Sequence, residues 1–173
     1  MPITPLHFGP GLAIHSASPR KISFLSFAAA NVVIDLEPAY YIFTQQDPLH
    51  RFVHSYAGAT LAILATIALT LLALHLAARI RLPNLFSWRQ LTPRQVINGA
   101  LWGGYSHIVL DSFMHADMQP FAPLFAGNAL HGLISIDALH SFCVVSGAVG
   151  LLVLAIRAVA GWREKSAVRS AKG

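Results

Sequence analysis

Long apolar runs separated by short polar interruptions divide the chain, and the lengths of those runs predict helices able to cross a membrane. Ile22 to Phe43 predicts a first span, interrupted or kinked at Pro38. After the polar stretch T-Q-Q-D-P-L-H-R, Arg51 to Ile80 predicts the longest helix. Thr92-Pro93 signals the start of a third, which carries Asn98 to Asp117, N-G-A-L-W-G-G-Y-S-H-I-V-L-D-S-F-M-H-A-D. The last run extends from about Leu133 to Trp162. Residues 2 to 18 are apolar but broken by Gly9, Pro10 and Gly11, which predicts a short helix that enters the bilayer without crossing it. The expected fold is an all-α integral membrane bundle of four spanning helices plus this broken N-terminal helix. Residues 1–162 form a single membrane-embedded domain in this reading, and 163–173 form a basic, mobile cytoplasmic tail.

Composition strengthens the membrane reading. Only 11% of the 173 residues are charged, 55% are hydrophobic and the mean hydropathy is +0.57, which excludes an ordinary soluble domain. The net charge of +5 does not point to nucleic acid, because the cations cluster beside hydrophobic segments, where they orient a membrane protein. The single cysteine, Cys143, excludes an internal disulfide framework and reads as a small buried hydrophobe.

Orientation follows from those cations. Arg20 and Lys21, the loop with Arg79, Arg81, Arg89 and Arg94, and the C-terminal tail fall on one side of a four-span arrangement, and Arg51 alone falls on the other. The basic side is therefore expected to be cytoplasmic. Tyr40 and Tyr41 read as an interfacial aromatic pair.

Against this background the polar residues stand out. At about 1.5 Å per helical residue, Asp35 lies about 21 Å above Lys21, His107 and Asp111 about 20 and 25 Å above Arg94, and His140 about 25 Å above Arg157. His7, were its segment helical, would lie about 20 Å above Arg20. His50 and His54 enter the second span from the same side. These groups converge on one layer in the outer half of a hydrocarbon core about 30 Å thick. His107, Asp111 and His115, four residues apart, are expected on one helix face. Ionisable groups are costly at that depth and mark functional sites. Imidazole with carboxylate suits zinc first, with manganese or iron as alternatives, and a set this large has room for one or two ions. The expected ligands are His7, Asp35, His50, His54, His107, Asp111, His115 and His140. Asp111 and Glu37 are candidate bases, and Arg51 is a candidate partner for an anionic head group. His15 and His75 fall away from the layer and read as structural, His131 reads as a surface residue, and Trp102, Gly103 and Gly104 read as helix-packing residues.

His7, then Asp35-Leu36-Glu37, His50-Arg51, His54-Ser55 and G-Y-S-H-I-V-L-D occur in an order that resembles a family of bacterial inner-membrane metal-dependent hydrolases distantly similar to zinc-dependent phospholipase C. The resemblance covers about two thirds of the chain. That family usually spaces its paired histidine positions five apart, where His50 and His54 of this chain are four apart, and commonly has P-D-x-D-H where this chain has I-D-L-E-P. The resemblance implies a multi-pass inner-membrane hydrolase acting on phosphoesters. The expected substrate is a lipid or lipid-linked phosphoester reached from the outer side, with a metal-activated water as nucleophile. Intramembrane Asp and His chains also build ion pathways, so translocation of metal or protons is the alternative. The inner half of the bilayer has no ionisable relay leading away from the layer, which counts against it.

Overall fold

The computed structural model describes residues 5–80 and 82–170, so Arg81 and the ends of the chain, 1–4 and 171–173, lie outside the described residues. The described residues are all-helical. A 3₁₀ turn, Pro5–His7, leads into α1, Phe8–Ala17; then follow α2, Phe24–Phe43, α3, Tyr56–Arg79, a second 3₁₀ segment, Leu85–Gln90, α4, Pro93–Met114, and α5, Ile136–Ser170.

Local chemistry sets the helix starts. Ser23 and Ser55 cap α2 and α3 by accepting the backbone N–H three residues on, at 3.2 and 3.0 Å. Thr92 and Gln95 cap α4 reciprocally, with Pro93 as its first residue. Two boundaries that matter to the site differ from the sequence reading. The second long helix begins at Tyr56, not Arg51, because Ser55 is its cap, so His50 and His54 sit in the preceding loop. α4 ends at Met114, and His115 has extended backbone. α2 runs without interruption through Pro38 to Phe43. The tail also differs, being helical as far as Ser170 as a continuation of α5.

α2, α3 and α4 pack together, while α1 lies along α5. Backbones approach closely where side chains vanish: a Cβ on Gly103 of α4 would overlap the Phe27 carbonyl of α2, and one on Gly9 would overlap the Cys143 carbonyl. Asn31 of α2 reinforces the first contact by donating Nδ2–H to the carbonyls of Phe27 and Gly103, at 2.8 and 3.3 Å. The fully buried apolar core is small, led by Phe27, Ile34, Ile63 and Ile108. Leu61, Leu64, Leu69, Leu72 and Leu76 of α3 face outward, as they would towards lipid. By length and composition, Tyr56–Arg79 and Ile136–Glu164 are able to cross a membrane. α2 and α4 have 20 and 22 residues but carry the polar groups described next.

Candidate metal centre

Five segments bring the polar residues together at one end of the bundle. α2 presents Asn31 and Asp35, and α4 presents His107 and Asp111, each pair on one helix face by its four-residue spacing, while Glu37, two residues beyond Asp35, turns towards the 49–54 loop. The loop between α2 and α3 supplies His50 and His54, the N-terminal 3₁₀ turn supplies His7, and the chain leaving α4 supplies His115 and Asp117.

Asp35, His54, His107 and Asp111 are all buried, and each offers a ligand atom within 4.8 Å of the others. His107 Nε2 lies 3.3 Å from Asp35 Oδ1 and 3.1 Å from Asp111 Oδ2. His54 Nε2 lies 3.9 Å and 3.7 Å from the same two oxygens. Ligand atoms around a tetrahedral zinc with bonds of about 2.1 Å stand about 3.4 Å apart, so these separations fit such an ion. In a second set, His50, Asp111 and His115, the ligand atoms also lie within 4.8 Å of one another, and Asp111 is shared with the first. The His50 and His115 rings stack with centroids 4.1 Å apart. His115 is the more exposed of the pair, so the site opens on their side.

The other ring nitrogen of three histidines is already engaged. His54 Nδ1 donates to Glu37 Oε2 at 3.1 Å, His50 Nδ1 to Asp117 Oδ1 at 2.9 Å, and His107 Nδ1 to Asn31 Oδ1 at 3.0 Å. Because Asn31 spends its amide N–H groups on backbone carbonyls, its oxygen must face His107. These bonds select the Nδ1–H tautomers and leave the Nε2 lone pairs free, the arrangement typical of metal-binding histidines. Correspondingly, Nε2 of His7, His54 and His107 and Oδ1 of Asp111 are buried without a hydrogen-bond partner among the described residues. Buried polar atoms are nearly always paired, and a cation held by Asp35, His54, His107 and Asp111 would engage the two Nε2 atoms of His54 and His107. The buried His/Asp group is thus able to hold a metal ion.

Glu37 and Asp117 do parallel work on the 49–54 loop. Glu37 accepts the backbone N–H of Arg51, Val53 and His54, at 3.0 to 3.3 Å, besides the His54 ring. Asp117 accepts the backbone N–H of Leu49 and His50, at 3.0 and 3.1 Å, besides the His50 ring. Burial and the neighbouring His54 lower the pKa of His50, although Asp117 opposes them. Burial alone would raise the pKa of Asp117, but its bonds from His50 outweigh that and lower it. Burial lowers that of His115 to about 4.

The remaining candidates lie at the margin. His7 is buried, with Nδ1 3.2 Å from His107 Nδ1 and Nε2 3.3 Å from Asp111 Oδ1, but it belongs to neither ligand set. His140 is half-buried on α5, also outside both sets. The Arg51 guanidinium lies 3.7 Å over the Tyr41 ring and donates to the carbonyls of Pro48 and Asp47, so it braces its own loop. His15 donates to the Ile22 carbonyl at 2.8 Å, and His75 and His131 are exposed. Asn31 and Asp117 were not singled out from the sequence. Asn31 stands one turn before Asp35, which is the signal that could have found it, whereas Asp117 has only its nearness to His115.

No family model matches the chain, and no curated protein or solved structure does.

Proposed function

We propose that the protein is a membrane-embedded, metal-dependent hydrolase of phosphoesters in a lipid or lipid-linked substrate. The observation that carries the metal part is the buried quartet Asp35, His54, His107 and Asp111, in which Nε2 of His54 and His107 has no hydrogen-bond partner among the described residues. The hydrolase part rests on the motif resemblance and on the opening of the site at the end of the bundle. In this reading α2 to α5 all span the membrane, the basic loops and tail face the cytoplasm, and the site lies towards the outer side of a bacterial inner membrane.

Asp35, His54, His107 and Asp111 would hold the first ion, zinc by the chemistry of the donors. His50, Asp111 and His115 would hold a second, and Asp111 belongs to both sets. When bound, such an ion lowers the pKa of a coordinated water towards about 7 and polarises a phosphoryl oxygen. The chain's own groups divide the remaining work. Glu37 and Asp117 hold His54 and His50 in orientation and register. The burial of the quartet keeps bulk water from competing.

The test is an assay of purified protein, loaded with zinc or manganese, against phospholipids and isoprenoid phosphates, following release of phosphate or phosphorylated head group. Turnover lost both to a chelator and to Asp111→Asn supports the hydrolase, because that substitution keeps shape while removing charge. A metal-loaded protein that cleaves nothing in the panel but moves zinc or protons into liposomes would replace this reading with translocation.

A further inference from the structure

The connection between α4 and α5 is unusual for a segment facing water. Between Asp117 and Asp137 it contains no Asp, Glu, Lys or Arg. Phe121, Leu124, Phe125, Leu133 and Ile134 nevertheless project outward, Leu124 being 82% and Phe125 70% exposed. An exposed apolar patch of this kind marks an interaction surface.

The segment is also held in place. The Pro120 carbonyl accepts the Tyr56 N–H at 2.8 Å, Asn128 Nδ2 donates to the carbonyls of Ser112 and His115, and Gly132 N–H donates to the Phe113 carbonyl at 3.1 Å. Met118 is fully buried at its start. The backbone and Met118 thus hold the segment inward, while Phe121, Leu124, Phe125, Leu133 and Ile134 point out.

Position and charge indicate what covers them. The segment leaves α4 next to His115 and Asp117, at the mouth of the site, and continues directly into the apolar α5. In the proposed reading α2 spans the membrane; its 20 residues, about 30 Å, match the thickness of the hydrocarbon core, which puts its last residue, Phe43, at the boundary at this same end of the bundle. Phe43 is 88% exposed. A charged partner would find no complementary charge here, whereas lipid needs none.

We propose that residues 118–135 are a membrane-surface anchor whose apolar side chains enter the leaflet on the side of the site, so that a lipid head group meets His115 without leaving the bilayer. This rests on the reading of the chain as a membrane hydrolase and names where its substrate enters.

The experiment places nitroxide labels on single cysteines, Phe125→Cys and Leu133→Cys, in a Cys143→Ser background in liposomes of neutral phospholipid. Gln46→Cys serves as the water reference and Val149→Cys as the lipid reference. Collision rates with oxygen and with a water-soluble nickel chelate are compared. The anchor requires both loop labels to favour oxygen, at values between the two references. Loop labels as open to nickel as Gln46→Cys would overturn it, and would be the result if the patch instead receives a protein. Nickel access at Val149→Cys would overturn the membrane reading and the anchor together. A Leu124→Asp/Phe125→Asp protein should keep its zinc and cleave a short-chain soluble phosphoester at the unmodified rate, while hydrolysis of the same head group in vesicles falls at least tenfold. Equal rates on both substrates contradict the anchor. Labels in lipid with no phosphoester cleaved by any form would leave the anchor standing and remove the hydrolase.

Discussion

Glu37 Oε2 lies 3.1 Å from His54 Nδ1, and the same carboxylate gathers the backbone N–H groups of Arg51, Val53 and His54. A carboxylate so occupied positions a ligand more directly than it serves as a base. Glu37→Ala is therefore expected to lower zinc affinity about 10- to 100-fold while leaving the maximum bound unchanged, the usual effect of losing a group behind a metal ligand. Competition titration with a zinc-binding dye checks this. Unaltered affinity would show that the loop holds His54 without Glu37.

Acid should separate His115 from its surroundings. Its folded pKa is depressed to about 4 from the ordinary 6.5, so between those values the unfolded chain binds the extra proton. Stability contributed by the neutral ring is present above pH 6.5 and lost as pH falls towards 4. Metal-free His115→Asn protein lacks that loss, and its Tm should fall less than the wild type's between pH 7.5 and 5. Equal falls would mean that His115 titrates alike in both states.

Topology is tested by labelling. Single cysteines at Gln46 and Asn84, both exposed, should react with an impermeant thiol reagent from opposite faces of the membrane in a Cys143→Ser background. Reaction from the same face would remove the four-span arrangement and the outward placement of the site.

How much of this was legible in the sequence depended on the element. On α2 and α4 a fixed rise and a 3.6-residue turn convert numbers into depth and direction, which is why Asp35, His107 and Asp111 could be brought to one level from spacing alone. The loop histidines were harder. His50 and His54 looked like the first turn of a helix, yet Ser55 caps that helix and Glu37 and Asp117 shape the loop ahead of it. His115 continued the four-residue spacing of α4, but the helix ends one residue earlier and the side chain reaches His50 from extended backbone. Asp117 could not be singled out, because its role comes from contacts with Leu49 and His50, more than 60 residues away in the chain. Arg51 looked free because its guanidinium partners are backbone carbonyls, which no residue pattern discloses.

The central claim is that the buried quartet is a metal site, and elemental analysis of the purified protein beside His107→Ala and Asp111→Ala tests it most directly. Wild-type protein should carry a transition metal, most of it zinc, at one to two ions per chain. Asp111→Ala should lose it nearly completely, because that residue belongs to both ligand sets, and His107→Ala should lose the ion of the quartet. Full metal content in both variants would mean that these groups only tie the helices together.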